Sequence, residues 1–135
     1  MHPVCALGRA LADADFVLLV LPLTEATRGL IGAAQLGAMR PTAWLLNIGR
    51  GALVEETALL HALERRTIAG AVLDVFATEP LPSEHPLWGL DNVVITPHIS
   101  GPNVPEEIAP VFNDNLARYL AGRRLRHVVD RRRGY

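Results

Sequence analysis

The stretch AWLLNIGRGALVEETALLHALERRTIAGAVLDVF, residues 43–76, decides the fold class, because it holds one complete strand, loop, helix and strand. Ala43 to Ile48 is an apolar run broken only by Asn47, and it stops at the Gly49-Arg50-Gly51 turn. Glu55 to Arg65 then carries Ala58, Leu59, Ala62 and Leu63 at helical spacing, so one face is apolar. Its first turn is acidic (Glu55, Glu56) and its last is basic (Arg65, Arg66), which opposes the helix dipole with the correct charges. Ile68 to Val75 reads as the second strand, with Gly70 inside it. Two strands joined through a helix fit a parallel pair, since parallel strands need a crossover connection of that kind.

The same alternation extends in both directions. Upstream, Ala6 to Ala12 places Ala6, Leu7, Ala10 and Leu11 on one helical face. Phe16-Val17-Leu18-Leu19-Val20-Leu21 is a continuous apolar run ending at Pro22, the pattern of a parallel strand buried on both faces. A short helix is expected from Ile31 to Met39, weakened by Gly32 and Gly37, and Pro41 separates it from the next strand. Downstream, Pro80, Pro82 and Pro86 make a stiff connection to a short strand, Val93 to Thr96, closed by Pro97. A helix from Pro105 to Leu120 ends at Gly122, a typical C-terminal stop. The expected class is α/β with a mainly parallel sheet.

Composition narrows the function. The 135 residues suffice for one core. A net charge of −1 argues against nucleic acid or an acidic membrane surface as an obligate partner. All 13 basic residues are arginine, and Arg131-Arg132-Arg133 reads as a solvated tail. The single cysteine, Cys5, has no internal disulfide partner, which fits a reducing compartment. The longest apolar run is far too short to span a bilayer, and the N-terminus has no signal-peptide pattern, so a cytoplasmic location is expected. The five histidines are scattered without zinc-site spacing, and no metal site is expected.

Chemistry-bearing residues collect where strands end, the edge at which open parallel sheets bind ligands. Arg50 sits between two glycines, where it either offers its planar fork to a carboxylate or faces water. His98 follows Pro97 at a strand end and is a candidate general acid or a structural histidine. Glu79, in a Thr78-Glu79-Pro80 turn, is either an exposed carboxylate or the partner that orients His98. Asp74 interrupts an apolar strand, where an unpaired carboxylate is costly. It is satisfied by backbone donors or holds a polar ligand.

Taken in order, Leu21-Pro22-Leu23-Thr24 with Thr27, Asn47-Ile48-Gly49-Arg50-Gly51, Leu73-Asp74-Val75-Phe76, Glu79-Pro80 and Thr96-Pro97-His98 form a recognisable set. The chain closely resembles the C-terminal half of the D-isomer-specific 2-hydroxyacid dehydrogenases, within their glyoxylate/hydroxypyruvate reductase branch. The resemblance covers essentially the whole chain, including the closing residues 128–135. It implies a partial Rossmann fold: the second half of a doubly wound dinucleotide-binding domain over 1–104, then a helix and tail over 105–135 that return to a substrate domain. It implies NAD or NADP as cofactor and a small 2-keto or 2-hydroxy acid as substrate. On matching positions, Arg50 would hold the substrate carboxylate and carbonyl, His98 would donate the proton, and Glu79 would hydrogen-bond to it. Asp74, the backbone of Ile48, Gly49 and Arg50, and the turn from His98 to Gly101 would meet the nicotinamide end. Pro22 to Thr27 would line the cofactor groove.

The resemblance also leaves parts of that family without a counterpart. No Gly-x-Gly-x-x-Gly turn is present, nor the ribose-reading residue that follows it. Cofactor phosphates lose much of their stabilisation without that helix N-terminus. Phe16 to Leu21, an interior strand in the complete domain, would present an apolar edge, so a homo-oligomer or a complementing N-terminal fragment is expected. The alternative to an enzyme is a non-catalytic remnant or a partner-complementing binding module. A receiver-like doubly wound domain would need acidic residues at early strand ends, which Asp13 and Asp15 match poorly.

Overall fold

The computed structural model describes residues 7–101 and 104–135. Cys5 and Ala6 lie outside the described residues. Two compact units divide the chain, 1–99 and 100–135.

The first unit runs α1 (Leu7–Asp13), β1 (Phe16–Leu19), α2 (Ala33–Ala38), β2 (Trp44–Asn47), α3 (Glu56–Glu64), β3 (Gly70–Leu73) and β4 (Val93–Ile95). The strands form one parallel sheet in the order β1-β2-β3-β4. Each expected element is present, with the strands shorter than the apolar runs that announce them. The Ile68–Val75 run, for example, pairs only from Gly70 to Leu73, so Asp74 lies one residue beyond the strand instead of within it.

Register brings the strand ends level: Leu19 pairs with Asn47, Asn47 with Leu73, and Leu73 with Ile95. Three candidate segments therefore begin side by side along one edge. Beneath α1, α2 and α3 the core gathers Leu11, Leu36, Leu45, Leu59, Leu63, Ala71 and Leu73. Fully burying each leucine contributes roughly 1.5–3 kcal/mol, so this helix-covered face is the main source of stability.

The opposite face of the sheet differs from expectation. The β1 run reads as buried on both sides, yet Phe16 is 71% and Leu18 55% exposed. Adjacent helices pack as α1 on α2 and α2 on α3, and an inward row of Val17, Leu45, Ala71 and Val93, buried at Leu45 and Ala71 and half-buried at its two ends, alternates with an outward row of Leu18, Leu46, Val72 and Val94. A continuous apolar run supplies side chains to both faces of a strand, and within this unit only one face is deeply buried.

The second unit is dominated by α4 (Pro105–Leu120). Pro105 opens it where no amide is needed, Glu106 and Glu107 occupy the first turn, and Arg118 the last. Gly122 ends it at φ +64°, a left-handed stop suited to glycine. Asp114 pairs with Arg118 at 2.9 Å, and Asn115 exchanges two hydrogen bonds with the Arg126 backbone to fasten the tail. Arg131, Arg132 and Arg133 are exposed. Among the described residues, no helix is long and apolar enough to cross a membrane.

Candidate active site

The site is a chain of hydrogen bonds linking the ends of β2, β3 and β4. At the end of β2, the buried Asn47 accepts from the Gly49 amide at 3.2 Å and donates to the Arg50 carbonyl at 3.0 Å. Its side chain thereby stands in for backbone pairing and fixes the Gly49–Arg50 turn. Space is tight at Gly49 and excludes any side chain at Gly51. A Cβ on Gly49 would lie 3.1 Å from the Leu21 carbonyl oxygen, and one on Gly51 2.0 Å from the Phe76 carbonyl carbon. The close approaches that these glycines permit are to the protein's own backbone. Arg50 itself is exposed, with extended backbone, and its Nη1 donates to the Gly49 carbonyl at 2.7 Å.

Beyond β3, the Asp74 amide donates to the Asn47 carbonyl at 3.0 Å, joining the second strand end to the first. The Asp74 side chain is 1% exposed, and its Oδ1 accepts from the Thr96 hydroxyl and from the Ile99 amide at 2.9 Å. A buried carboxylate is tolerable when charge-assisted hydrogen bonds replace water, and here donors from the far strand end supply them.

Past β4, the Thr96 amide donates to the Leu73 carbonyl, and the His98 amide to the Thr96 carbonyl at 3.1 Å. His98 has φ +53°, in the left-handed region that few residues other than glycine adopt. Its Nδ1 lies 2.7 Å from Glu79 Oε2, and Glu79 Oε1 accepts from the Phe76 amide at 2.9 Å. The His98 bond, and after it the Phe76 amide, holds the Glu79 carboxyl below the usual carboxylate range, with the positive charge of Arg50 acting in the same direction. Partial burial opposes this. An ionised Glu79 accepts only, so the His98 proton resides on Nδ1 and leaves Nε2 as the ring atom for acid–base exchange.

The fold therefore brings Arg50, Glu79, His98 and Asp74 to one sheet edge. Ile48 and Gly49 sit where β2 meets β1, the Ile48 amide donating to the Leu19 carbonyl at 3.2 Å. Pro22 and Thr27 form their own turn beyond β1: the Thr27 hydroxyl donates to the Pro22 carbonyl at 2.8 Å and accepts from the Thr24 amide. Gly101 belongs to the second unit.

Residues that sequence reasoning missed complete the setting. A cavity of about 530 Å³ is walled by Phe76, Leu81, Trp88, Ile95 and Pro97, with Glu79 and His98 in its lining. Trp88 is carried by a short 3-10 helix, Pro86–Gly89, capped by His85, whose Nδ1 accepts from the Leu87 amide while Nε2 meets Glu56 at 3.1 Å. The signal for Asn47 was available, as a polar residue ending an apolar strand just before two glycines. For the His85–Glu56 contact there was none, since the two residues are 29 apart in sequence. Among the described residues, no three His, Cys, Asp or Glu side chains gather as a metal site.

Comparison with known proteins bears directly on this geometry. Residues 2–100 match the family model described as D-isomer specific 2-hydroxyacid dehydrogenase, NAD binding domain. A glyoxylate/hydroxypyruvate reductase B of Pectobacterium carotovorum is 49% identical over 120 residues, covering 87% of this chain and 38% of its own length. A D-isomer specific 2-hydroxyacid dehydrogenase from Xanthobacter autotrophicus, solved with NADPH and MES, superposes with a TM-score of 0.94 at 44% identity, covering all of this chain and 56% of that one. An NADPH-dependent glyoxylate/hydroxypyruvate reductase from Sinorhizobium meliloti, solved with NADP and sulfate, gives 0.91 at 33% identity, over 99% of this chain and 44% of that one. The chain spans about two fifths of the length of the curated relatives it matches. With the family model covering most of the chain, the chain belongs to the D-isomer specific 2-hydroxyacid dehydrogenases, as their NAD-binding domain.

Proposed function

We propose that this chain carries the hydride-transfer site of an NAD- or NADP-dependent reductase acting on a small 2-keto acid of the glyoxylate or hydroxypyruvate kind. The observation that carries the reading is the His98–Glu79 pair, held at a parallel strand end on the same sheet edge as Arg50. Polar groups at one sheet edge beside an apolar-walled cavity fit the nicotinamide end of such a cofactor, with Asp74, His98 and the Ile48–Arg50 backbone as its contacts and Pro22 and Thr27 along the groove. When bound, the nicotinamide supplies the hydride.

The chain's own residues supply position and a proton. Arg50 leaves the Gly49 carbonyl and offers its fork to the substrate carboxylate, fixing the orientation of the keto group. His98 Nε2 protonates the oxygen as negative charge develops there. Glu79 keeps the ring in one tautomer and one orientation, with Nε2 turned to the exchange of the proton.

A second reading, in which turnover needs another polypeptide, is favoured by the exposed apolar side chains of β1 and the residues after it. The occupant is a second copy or a complementing N-terminal segment. Two measurements separate these readings: NADH or NADPH fluorescence titrated with the full chain, and loss of reduced nucleotide on adding glyoxylate or hydroxypyruvate. Turnover that disappears in His98→Ala and drops sharply in Arg50→Ala supports the enzyme. Turnover unchanged in His98→Ala sinks it.

A further inference from the structure

Asp74 does something for this site besides facing a ligand. The catalytic pair depends on His98 adopting a left-handed backbone conformation, which for a residue with a Cβ persists only when its surroundings over-determine it. Two residues before His98 stands the Thr96 hydroxyl, and one residue after it stands the Ile99 amide. Both donate to the same atom, Asp74 Oδ1. Asp74 is itself anchored through its amide to Asn47, whose side chain sets the Arg50 turn.

We propose that Asp74 is the positioning residue of the His98–Glu79 pair: its buried carboxylate grips the chain on both sides of His98 and holds the left-handed turn that presents Nδ1 to Glu79. The accepting oxygen belongs to a buried side chain, and two donors on one atom fix the chain from both sides of His98. Through Asn47 the same residue ties the placement of the imidazole to that of the guanidinium. This role concerns geometry within the chain and stands whether or not the chain turns over a keto acid.

The test reads the Glu79 side-chain carboxyl by carbon-13 NMR titration of the full chain, in the wild type and in Asp74→Ala, Asp74→Asn, Thr96→Val and His98→Ala. His98→Ala defines the upward move of the Glu79 midpoint when its first partner is gone. Asp74→Ala is expected to reproduce most of that rise and to speed exchange of the Ile99 amide at least roughly tenfold. Asp74→Asn keeps a carbonyl acceptor and restores part of the coupling. Glu84, held below the usual carboxylate range first by the Ser83 hydroxyl, should not move and serves as the control for general loosening. If Asp74→Ala fails to fold, Thr96→Val gives the same reading at smaller amplitude, since it deletes one grip and leaves the other. A Glu79 midpoint that stays at its wild-type value in the folded variants overturns the proposal, because a purely structural Asp74 would lower stability without uncoupling Glu79 from His98.

Discussion

Gly51→Ala offers the sharpest test of how the site loop is packed. A methyl at that position would sit 2.0 Å from the Phe76 carbonyl carbon, 2.1 Å from its oxygen and 2.5 Å from the Ala77 nitrogen. Carbon atoms pack at about 3.5–4.0 Å, so the two backbone segments must part by roughly 1.5 Å. Overpacking costs about 1–3 kcal/mol where side chains can yield, and more where they cannot. Here every atom met belongs to the backbone, so the expected loss is about 3 kcal/mol or above. Against a total stability on the order of 5–15 kcal/mol, that is a large fraction. With a denaturant slope of roughly 1.5 kcal/mol per molar, the urea midpoint should fall by about 2 M. Retreat of Phe76 would also pull its amide from Glu79, 2.9 Å away, and disturb the pair with His98. Gly37→Ala is the matched control: a Cβ there meets nothing within 4 Å, and the position lies inside α2. Alanine favours a helix over glycine by about 0.5–1 kcal/mol, so this variant should be the more stable one. Gly51→Ala unfolding at the wild-type urea concentration would refute the argument, as would equal losses from both substitutions.

Three further outcomes follow from the same structure. His85→Ala removes a mostly buried side chain that caps the Trp88 helix and pairs with Glu56; a loss of about 1–2 kcal/mol and a red-shifted Trp88 emission are expected, and unchanged melting would contradict the capping role. The lowered Glu79 carboxyl pKa contributes stability above the unfolded-state value, about 4.3, and that contribution is lost as pH falls through the folded value. Because Glu79 and His98 are 37% and 48% exposed, solvent screening keeps the contribution below about 1 kcal/mol; Glu79→Gln should be less stable than wild type near neutral pH and converge with it in acid, and a gap constant with pH would count against the pairing. At micromolar concentration the chain should self-associate through the exposed apolar residues of β1, and Leu18→Lys should weaken that association in sedimentation with little change in melting, whereas a wild-type monomer would remove the basis for it.

Much of the fold was legible because helices announce themselves through side-chain period and buried strands through short apolar runs bounded by turn residues. The run from Ala43 to Val75 contains both signals, and its order of elements fits a parallel pair. Asp74 stood out in the sequence as a carboxylate in apolar company, but its donors come from Thr96 and Ile99, more than 20 residues away. No local pattern encodes such a pairing; it arises when β4 docks in register beside β3. The openness of the second sheet face was equally hidden, since an apolar run has the same composition whether one side or both are covered.

What the sequence determined by itself is the inventory: four strands, the helices between them, an arginine and a histidine just past strand ends, a carboxylate in the turn after the third strand and another in that strand's apolar run. Those follow from local propensity and periodicity, which act over a few residues. Only the tertiary structure decided that the strand ends lie level, that Glu79 meets His98 at 2.7 Å, and that Asp74 grips the chain on both sides of that histidine. Such contacts join segments distant along the chain, and their geometry is fixed by sheet register and core packing, which act on the whole domain at once.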